Sequence, residues 1–148
     1  MRIILTEKPS VAADFEKALH AERHDGYYQN DDTIITFCVG HLYELAGPDY
    51  YTSQKKWSFD YLPVIPEKYV YKRKTATAKQ AAVVHGMLQK YRKNEIIIAT
   101  DADREGELIA RTALREAGIT SSDSIFRFWV SEALTESVIK SGFENVKK

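Results

Sequence analysis

Asp101, Asp103 and Glu105 are spaced by two, immediately after the apolar run Ile96-Ile97-Ile98-Ala99. In an extended segment, residues two apart point to one face. Three carboxylates on one side of a turn repel one another unless a cation sits among them. Oxygen-only donors suit a hard ion such as Mg²⁺, which keeps several waters and reaches across to a phosphate. Glu7 and Lys8 hold a comparable position, just after Ile3-Ile4-Leu5. If the two apolar runs are neighbouring strands, Glu7 and Lys8 face the acidic turn. The expected metal set is therefore Glu7, Asp101, Asp103 and Glu105, with Lys8 a natural partner for phosphate oxygens.

Each residue also has a plainer reading. A single acid near a helix start complements the helix dipole or caps it, and Asp103 suits an N-cap. Arg104 reads as a surface counter-ion. His41 follows Gly40 and reads as an internal hydrogen-bonding group or a substrate contact. Lys8 could be a solvated turn lysine.

The elements that must position these groups are legible as alternating strands and helices. Arg2–Leu5 reads as a buried strand, and Pro9 suits a first helical position. Val11, Phe15, Ala18 and Leu19 then recur on one helical face. Asp31-Asp32 make a turn before a second strand, Thr33–Val39, which Gly40-His41-Leu42 ends. Residues 46–66, with Gly47-Pro48, Pro63, Pro66 and the aromatics Tyr50, Tyr51, Trp57, Phe59 and Tyr61, read as an irregular excursion. Its aromatics are expected to pack it onto the domain or to stack bases. Tyr69–Tyr71 suggests a brief strand, and Thr75 to Tyr91 a helix. Glu95–Thr100 is a strand, Arg104–Ala117 a helix stopped by Gly118, Ser124–Val130 a last strand, and Leu134–Phe143 a further helix. This alternation predicts an α/β fold with a central, mainly parallel sheet flanked by helices. In such sheets ligands sit beyond the carboxyl ends of the strands, where Glu7 and Asp101–Glu105 fall.

A chain of 148 residues with 44% apolar content suits one compact domain with a real core. Its single cysteine, Cys38, excludes an internal disulfide and a cysteine zinc site, and reads as a small core residue. No apolar stretch approaches a membrane span and no signal peptide is expected, so a cytoplasmic setting is predicted. With 21 basic and 21 acidic side chains, bulk charge does not announce a nucleic-acid binder. Locally, Lys68, Lys72, Arg73, Lys74 and Lys79 follow Glu67 without an acid, interleaved with Tyr69 and Tyr71. That stretch could track a single nucleic-acid strand by charge and stacking, or could be a solvated face. No P-loop is present, and no nucleotide cofactor is expected.

Four segments carry a resemblance to a known family. Thr6-Glu7-Lys8-Pro9-Ser10 resembles the opening of bacterial topoisomerase III and its type IA relatives. Gly40-His41-Leu42-Tyr43-Glu44-Leu45 is similar to their G-H-L segment, and Asp101-Ala102-Asp103-Arg104-Glu105-Gly106-Glu107 to their D-x-D-R-E-G-E signature. Arg127-Phe128-Trp129-Val130-Ser131, with Leu134-Thr135, resembles the stretch leading out of the same domain. The resemblance implies a Toprim domain over residues 1–130, with 131–148 starting the following helical region of a parent enzyme. It implies Glu7 as general acid/base near the scissile phosphate, Lys8 as stabiliser of that phosphate, and Mg²⁺ at Asp101, Asp103 and Glu105. His41, Arg104, Lys72, Arg73 and Lys74 are candidate DNA contacts. Type IA enzymes cut with a tyrosine far beyond this domain. The last tyrosine here is Tyr91, so the chain reads as an N-terminal fragment, inactive alone, whose partners are single-stranded DNA and the tyrosine-bearing remainder. Two other classes stay open: a different Toprim enzyme, primase-like or nuclease, and a non-catalytic docking module.

Overall fold

The computed structural model describes residues 1–53, 56, 58–120 and 124–148; Trp57 of the excursion lies outside them. In chain order the elements are β1 (Arg2–Thr6), α1 (Pro9–Leu19), β2 (Glu22–His24), β3 (Tyr27–Gln29), β4 (Thr33–Phe37), β5 (Tyr43–Leu45), α2 (Pro48–Tyr51), β6 (Tyr71–Arg73), α3 (Ala78–Lys90), β7 (Glu95–Ala99), α4 (Arg104–Glu116), β8 (Ile125–Arg127) and α5 (Glu136–Glu144), with 3₁₀ turns at Phe59–Tyr61 and Thr75–Thr77.

Six strands form one sheet in the order β2-β3-β4-β1-β7-β8. The four strands β4, β1, β7 and β8 are parallel, with Ile4 opposite Ile35 on one side and Ile97 on the other. Parallel strands are covered on both faces and so read as continuous apolar runs. Successive side chains feed two cores. Ile3, Leu5, Ile34, Ile96 and Ile98 pack with Ala81, Val84 and Leu88 of α3 and Ile109, Ala113 and Leu114 of α4. Ile4, Ile35 and Ile97 pack with Ala12, Phe15 and Ala18 of α1 and Ile139 of α5. Each of these isoleucines is fully buried or nearly so, worth roughly 1.5–3 kcal/mol per side chain before entropy is counted. Cys38 lies in the first core.

The sheet is the mainly parallel α/β arrangement that the alternation predicts, with one addition. The antiparallel hairpin β2–β3 extends it past β4. Sequence pattern missed this hairpin because Glu22-Arg23-His24 is exposed throughout and carries no apolar alternation. The available signal was Asp25-Gly26, with Gly26 at φ +85°, a dipeptide suited to tight hairpin turns. Other ends shift by a few residues: the brief strand after the excursion is Tyr71–Arg73, and the helix expected from Thr75 opens with a 3₁₀ turn. The last helix starts after Thr135, whose hydroxyl accepts the Val138 N–H at 3.3 Å.

Within the excursion, Tyr50, Tyr51 and Tyr69 form an edge-to-face cluster, and the Tyr51 hydroxyl accepts the Val70 N–H at 2.7 Å. Those rings pack the excursion on itself and on the β5–β6 ribbon. Phe59, by contrast, is 95% exposed. At the other end of the chain, Phe128 and Phe143 each pack edge-on against Phe15, at 5.2 and 5.9 Å, and Lys147 pairs with Arg127 in an antiparallel bridge. Residues after 130 are thus bound into the α1 side of the sheet.

Candidate metal and phosphate site

β1 lies at the centre of the parallel strands. From it the chain runs through α1 to β2–β4 on one flank, then crosses to β7 on the other. The order reverses at β1, and crevices at such reversals, beyond the strand carboxyl ends, are where open α/β sheets bind ligands. Three turns meet there: Glu7-Lys8 after β1, Gly40-His41 after β4, and Asp101–Asp103 after β7. Backbone bonds lock the first two together, Cys38 N to Thr6 O at 2.8 Å and Gly40 N to Glu7 O at 3.3 Å. Gly40 takes φ +62°, a conformation that glycine adopts without strain.

Glu7 is 7% exposed, and its Oε2 accepts the Asp101 N–H at 3.3 Å. Lys8 Nζ donates to Asp101 Oδ2 at 3.0 Å and lies 3.5 Å from Glu7 Oε1. The Asp101 hydrogen bond and charge, then the Glu7 charge, raise the Lys8 pKa above the usual lysine value. Two carboxylates from adjacent strands therefore converge on one ammonium.

Asp103 and Glu105 are placed differently from the expectation of three carboxylates on one face. Helix α4 begins at Arg104, so the segment is not extended and spacing by two no longer selects a face. Asp103 is the N-cap, its Oδ1 accepting the Gly106 N–H at 2.7 Å. Glu105, in the first helical turn, lies 3.7 Å from His41 Nε2. Arg104 is exposed at the helix start. Among the described residues, no three His, Cys, Asp or Glu side chains are gathered closely enough to hold a metal. Helix α4 comes this near because residue 106 is glycine: a Cβ there would lie 2.4 Å from the Asp101 carbonyl oxygen.

Of the basic candidates, Lys72 and Arg73 sit on β6 and Lys74 follows it. Arg73 pairs with Tyr43, and Lys74 N donates to Leu42 O at 2.9 Å, which joins β6 to the His41 segment. Lys72 lies 4.3 Å from the centre of the Tyr50 ring. Lys72 and Arg73 are exposed and Lys74 is half-buried.

Sequence reasoning gives Arg127 no site role, yet its environment is the most heavily bonded in the site. Its guanidinium, with the side chain 10% exposed, donates to the carbonyls of Ile98, Thr100, Phe128 and Asp101 and to Glu107 Oε2. Burial lowers its pKa, and the Glu107 charge opposes that shift. A lone arginine inside the apolar run Ile125–Val130 was the available signal. Beside this turn a cleft of about 320 Å³ opens, with Val11, Phe15, Phe128 and Leu134 in its walls and Asp101 and Asp103 at its edge.

The donor chemistry fits a hard dication. Glu7 and Asp101 already share a cation, and Mg²⁺ needs only one or two carboxylates when waters and substrate phosphates complete its shell. Comparison with known proteins agrees with the fold. The Toprim domain family model matches residues 2–133. The chain is 40% identical to proteins named DNA topoisomerase 3 from Bacillus thuringiensis (strain Al Hakam) and Bacillus anthracis, over 147 residues. It is 41% identical to the protein of that name from Staphylococcus aureus (strain USA300), over 151 residues. Each match covers 98% of this chain, which spans 20% of the length of those relatives. With a switch-point crevice, its acids in the signature order and a family match over most of its length, this chain belongs to the Toprim domain family.

Proposed function

We propose that this chain is the N-terminal Toprim part of a type IA, topoisomerase III-like DNA topoisomerase, a cytoplasmic enzyme that cuts and rejoins one DNA strand. The observation that carries the reading is the convergence of Glu7 and Asp101 on Lys8 at the ends of adjacent strands. A phosphate brought to that point meets a lysine that can hold a non-bridging oxygen, and a carboxyl group able to move a proton. In the proposed reaction a tyrosine outside this chain gives its phenolic proton to water and attacks a phosphodiester as the phenolate, regaining a proton from water when the link is later broken. The phosphorus–O3′ bond breaks as the phosphotyrosyl bond forms. Glu7 gives the departing 3′ oxygen its proton and takes it back when that hydroxyl attacks the phosphotyrosyl link. Bond energy stays in the link, so no nucleotide cofactor is used. Mg²⁺ would be held by Glu7 and Asp101, the pair that already shares a cation, with Asp103 and Glu105 the further acids of the turn, and would supply positive charge toward phosphate oxygens. Lys8 contributes charge of the same sign from a fixed position. His41, Arg104 and the Lys72-Arg73-Lys74 segment would steady a single DNA strand approaching this face. The Toprim domain runs to about residue 130 in this reading, and residues 131–148 lead into the following helical region while closing the α1 layer.

The test is a titration with Mn²⁺ as a Mg²⁺ stand-in, wild type beside Asp101→Asn/Asp103→Asn, followed by paramagnetic broadening. Saturable binding lost in the double variant supports the site. The capping role of Asp103 and the ungathered carboxylates favour a second reading, a docking module without metal. No specific Mn²⁺ binding, with or without a single-stranded oligonucleotide, would select it.

A further inference from the structure

We propose that Arg127 is the positioning residue of the acidic turn, its guanidinium holding the Thr100–Asp101 backbone and the first turns of α4 in the arrangement that presents Asp101 and Asp103. The inference rests on the metal-site reading above for its functional meaning, and on geometry alone for the brace.

Ile98 O accepts the Phe128 N–H at 2.9 Å, but the carbonyls of Thr100 and Asp101 lie beyond the last pairing of β7 with β8. Arg127 supplies their partners. Nη1 reaches Ile98 O at 3.0 Å, Thr100 O at 2.9 Å and Phe128 O at 2.8 Å, and Nη2 reaches Asp101 O at 2.7 Å. Nε reaches Glu107 Oε2 at 3.0 Å, and Glu107 Oε1 accepts from Arg111 Nε at 2.7 Å. One side chain therefore ties the turn before α4 to the helix after it, with Asp101 and Asp103 lying between the two tie points. Hydrogen bonds from a charged donor to buried carbonyls are the stronger kind, and their loss leaves acceptors unsatisfied. Trp129 covers the guanidinium at 4.9 Å from its ring centre. The Arg127 backbone is itself fixed by two bonds to Lys147, at 2.6 and 2.9 Å.

Lysine cannot do this. Its ammonium is a strongly hydrated point charge, whereas the guanidinium is a rigid fork of five donors that tolerates burial. The ammonium cannot reach Asp101 O and Glu107 together with the remaining carbonyls. Groups that orient metal ligands from behind typically carry about 10–100-fold in metal affinity.

The experiment compares wild type, Arg127→Lys, Arg127→Ala and Glu107→Gln in the 148-residue chain. Mn²⁺ affinity is read by electron paramagnetic resonance and amide hydrogen exchange by NMR. In Arg127→Lys, Mn²⁺ binding should weaken by about tenfold or more. Amides from Ala102 to Gly106 should exchange about tenfold faster while those of β1 and β4 keep their protection. Glu107→Gln, which leaves the carbonyl bonds intact, should show a smaller change of the same kind. Millimolar guanidinium should restore part of the turn protection in Arg127→Ala and none in wild type. Wild-type Mn²⁺ affinity and turn protection in Arg127→Lys would overturn the proposal. So would loosening of the turn and the core strands in parallel, which is the mark of a residue that only stabilises the fold. If wild type binds no Mn²⁺, the metal reading fails, and the exchange comparison still decides the brace.

Discussion

Two glycines in helices of this chain should answer the same substitution in opposite ways. Gly86 is an exposed residue inside α3, and a Cβ added there would meet nothing within 4 Å. Gly86→Ala should gain about 0.5–1 kcal/mol from helix propensity, a rise in Tm of ~1–4 °C. Gly106 occupies the first turn of α4, where the same Cβ would sit 2.4, 2.9 and 3.1 Å from the Asp101 O, N and C atoms. Carbon contacts settle near about 3.5 Å, so helix and turn must separate by roughly 1 Å. Backbone, not a flexible side-chain tip, stands in the way. Overpacking of this kind costs about 1–3 kcal/mol, against a propensity gain near 1 kcal/mol. The net effect should be a loss of up to about 2 kcal/mol, a fall in Tm of up to ~8 °C. The displaced turn should also carry Asp101 away from Lys8 and Glu7 and weaken Mn²⁺ binding. Thermal denaturation of both variants, with amide chemical shifts of Asp101–Asp103, tests this. A Gly106→Ala chain at or above wild-type Tm, with unshifted turn amides, would refute the argument that close approach demands glycine here.

Asp103→Asn should keep the α4 cap, because asparagine accepts the Gly106 N–H as well as aspartate does, whereas Asp103→Ala should lose about 1 kcal/mol in denaturant unfolding. Mn²⁺ affinity should fall in both, which separates the cap from the proposed metal role. The Cys38 thiol, pushed up to about 12 by burial and by the Glu7 charge, should resist thiol reagents at pH 8 in the native chain and react promptly once unfolded. Because its folded pKa is raised, its contribution is fully present below the ordinary thiol value of 9.0 and lost between there and about 12. Stability should therefore decline with pH across that window, and less so in Cys38→Ala. Gly142→Ala, whose Cβ would meet the Phe128 ring at 2.3 Å, should destabilise the α1–α5 side and lower Tm.

The fold was legible where burial is two-sided. Ile3-Ile4-Leu5, Ile34-Ile35 and Ile96-Ile97-Ile98 announce buried parallel strands, because only such strands can be apolar on both faces. The β2–β3 hairpin leaves only the Asp25-Gly26 turn as a signal, since an exposed edge has no apolar pattern to leave in the sequence. The sequence pattern places the α4 start at Arg104, where the structure has it, and with it Glu105 in the first helical turn. A period of two holds only while the chain stays extended, and Asp103 ends that by capping the helix.

The site divides along the same line. Sequence by itself determined which groups are present: hard oxygen donors in the order Glu7, Asp101, Asp103, Glu105, with Lys8 beside the first. Local propensity also determined that they stand at the ends of apolar strands. Only the tertiary structure decided that β1 and β7 are neighbours, so that Glu7 and Asp101, 94 residues apart, share Lys8. It alone decided that Arg127, read from sequence as one residue of a family-like stretch, bonds the turn that holds the acids. Strand order and the reach of a buried guanidinium are properties of long-range packing, which no local spacing encodes.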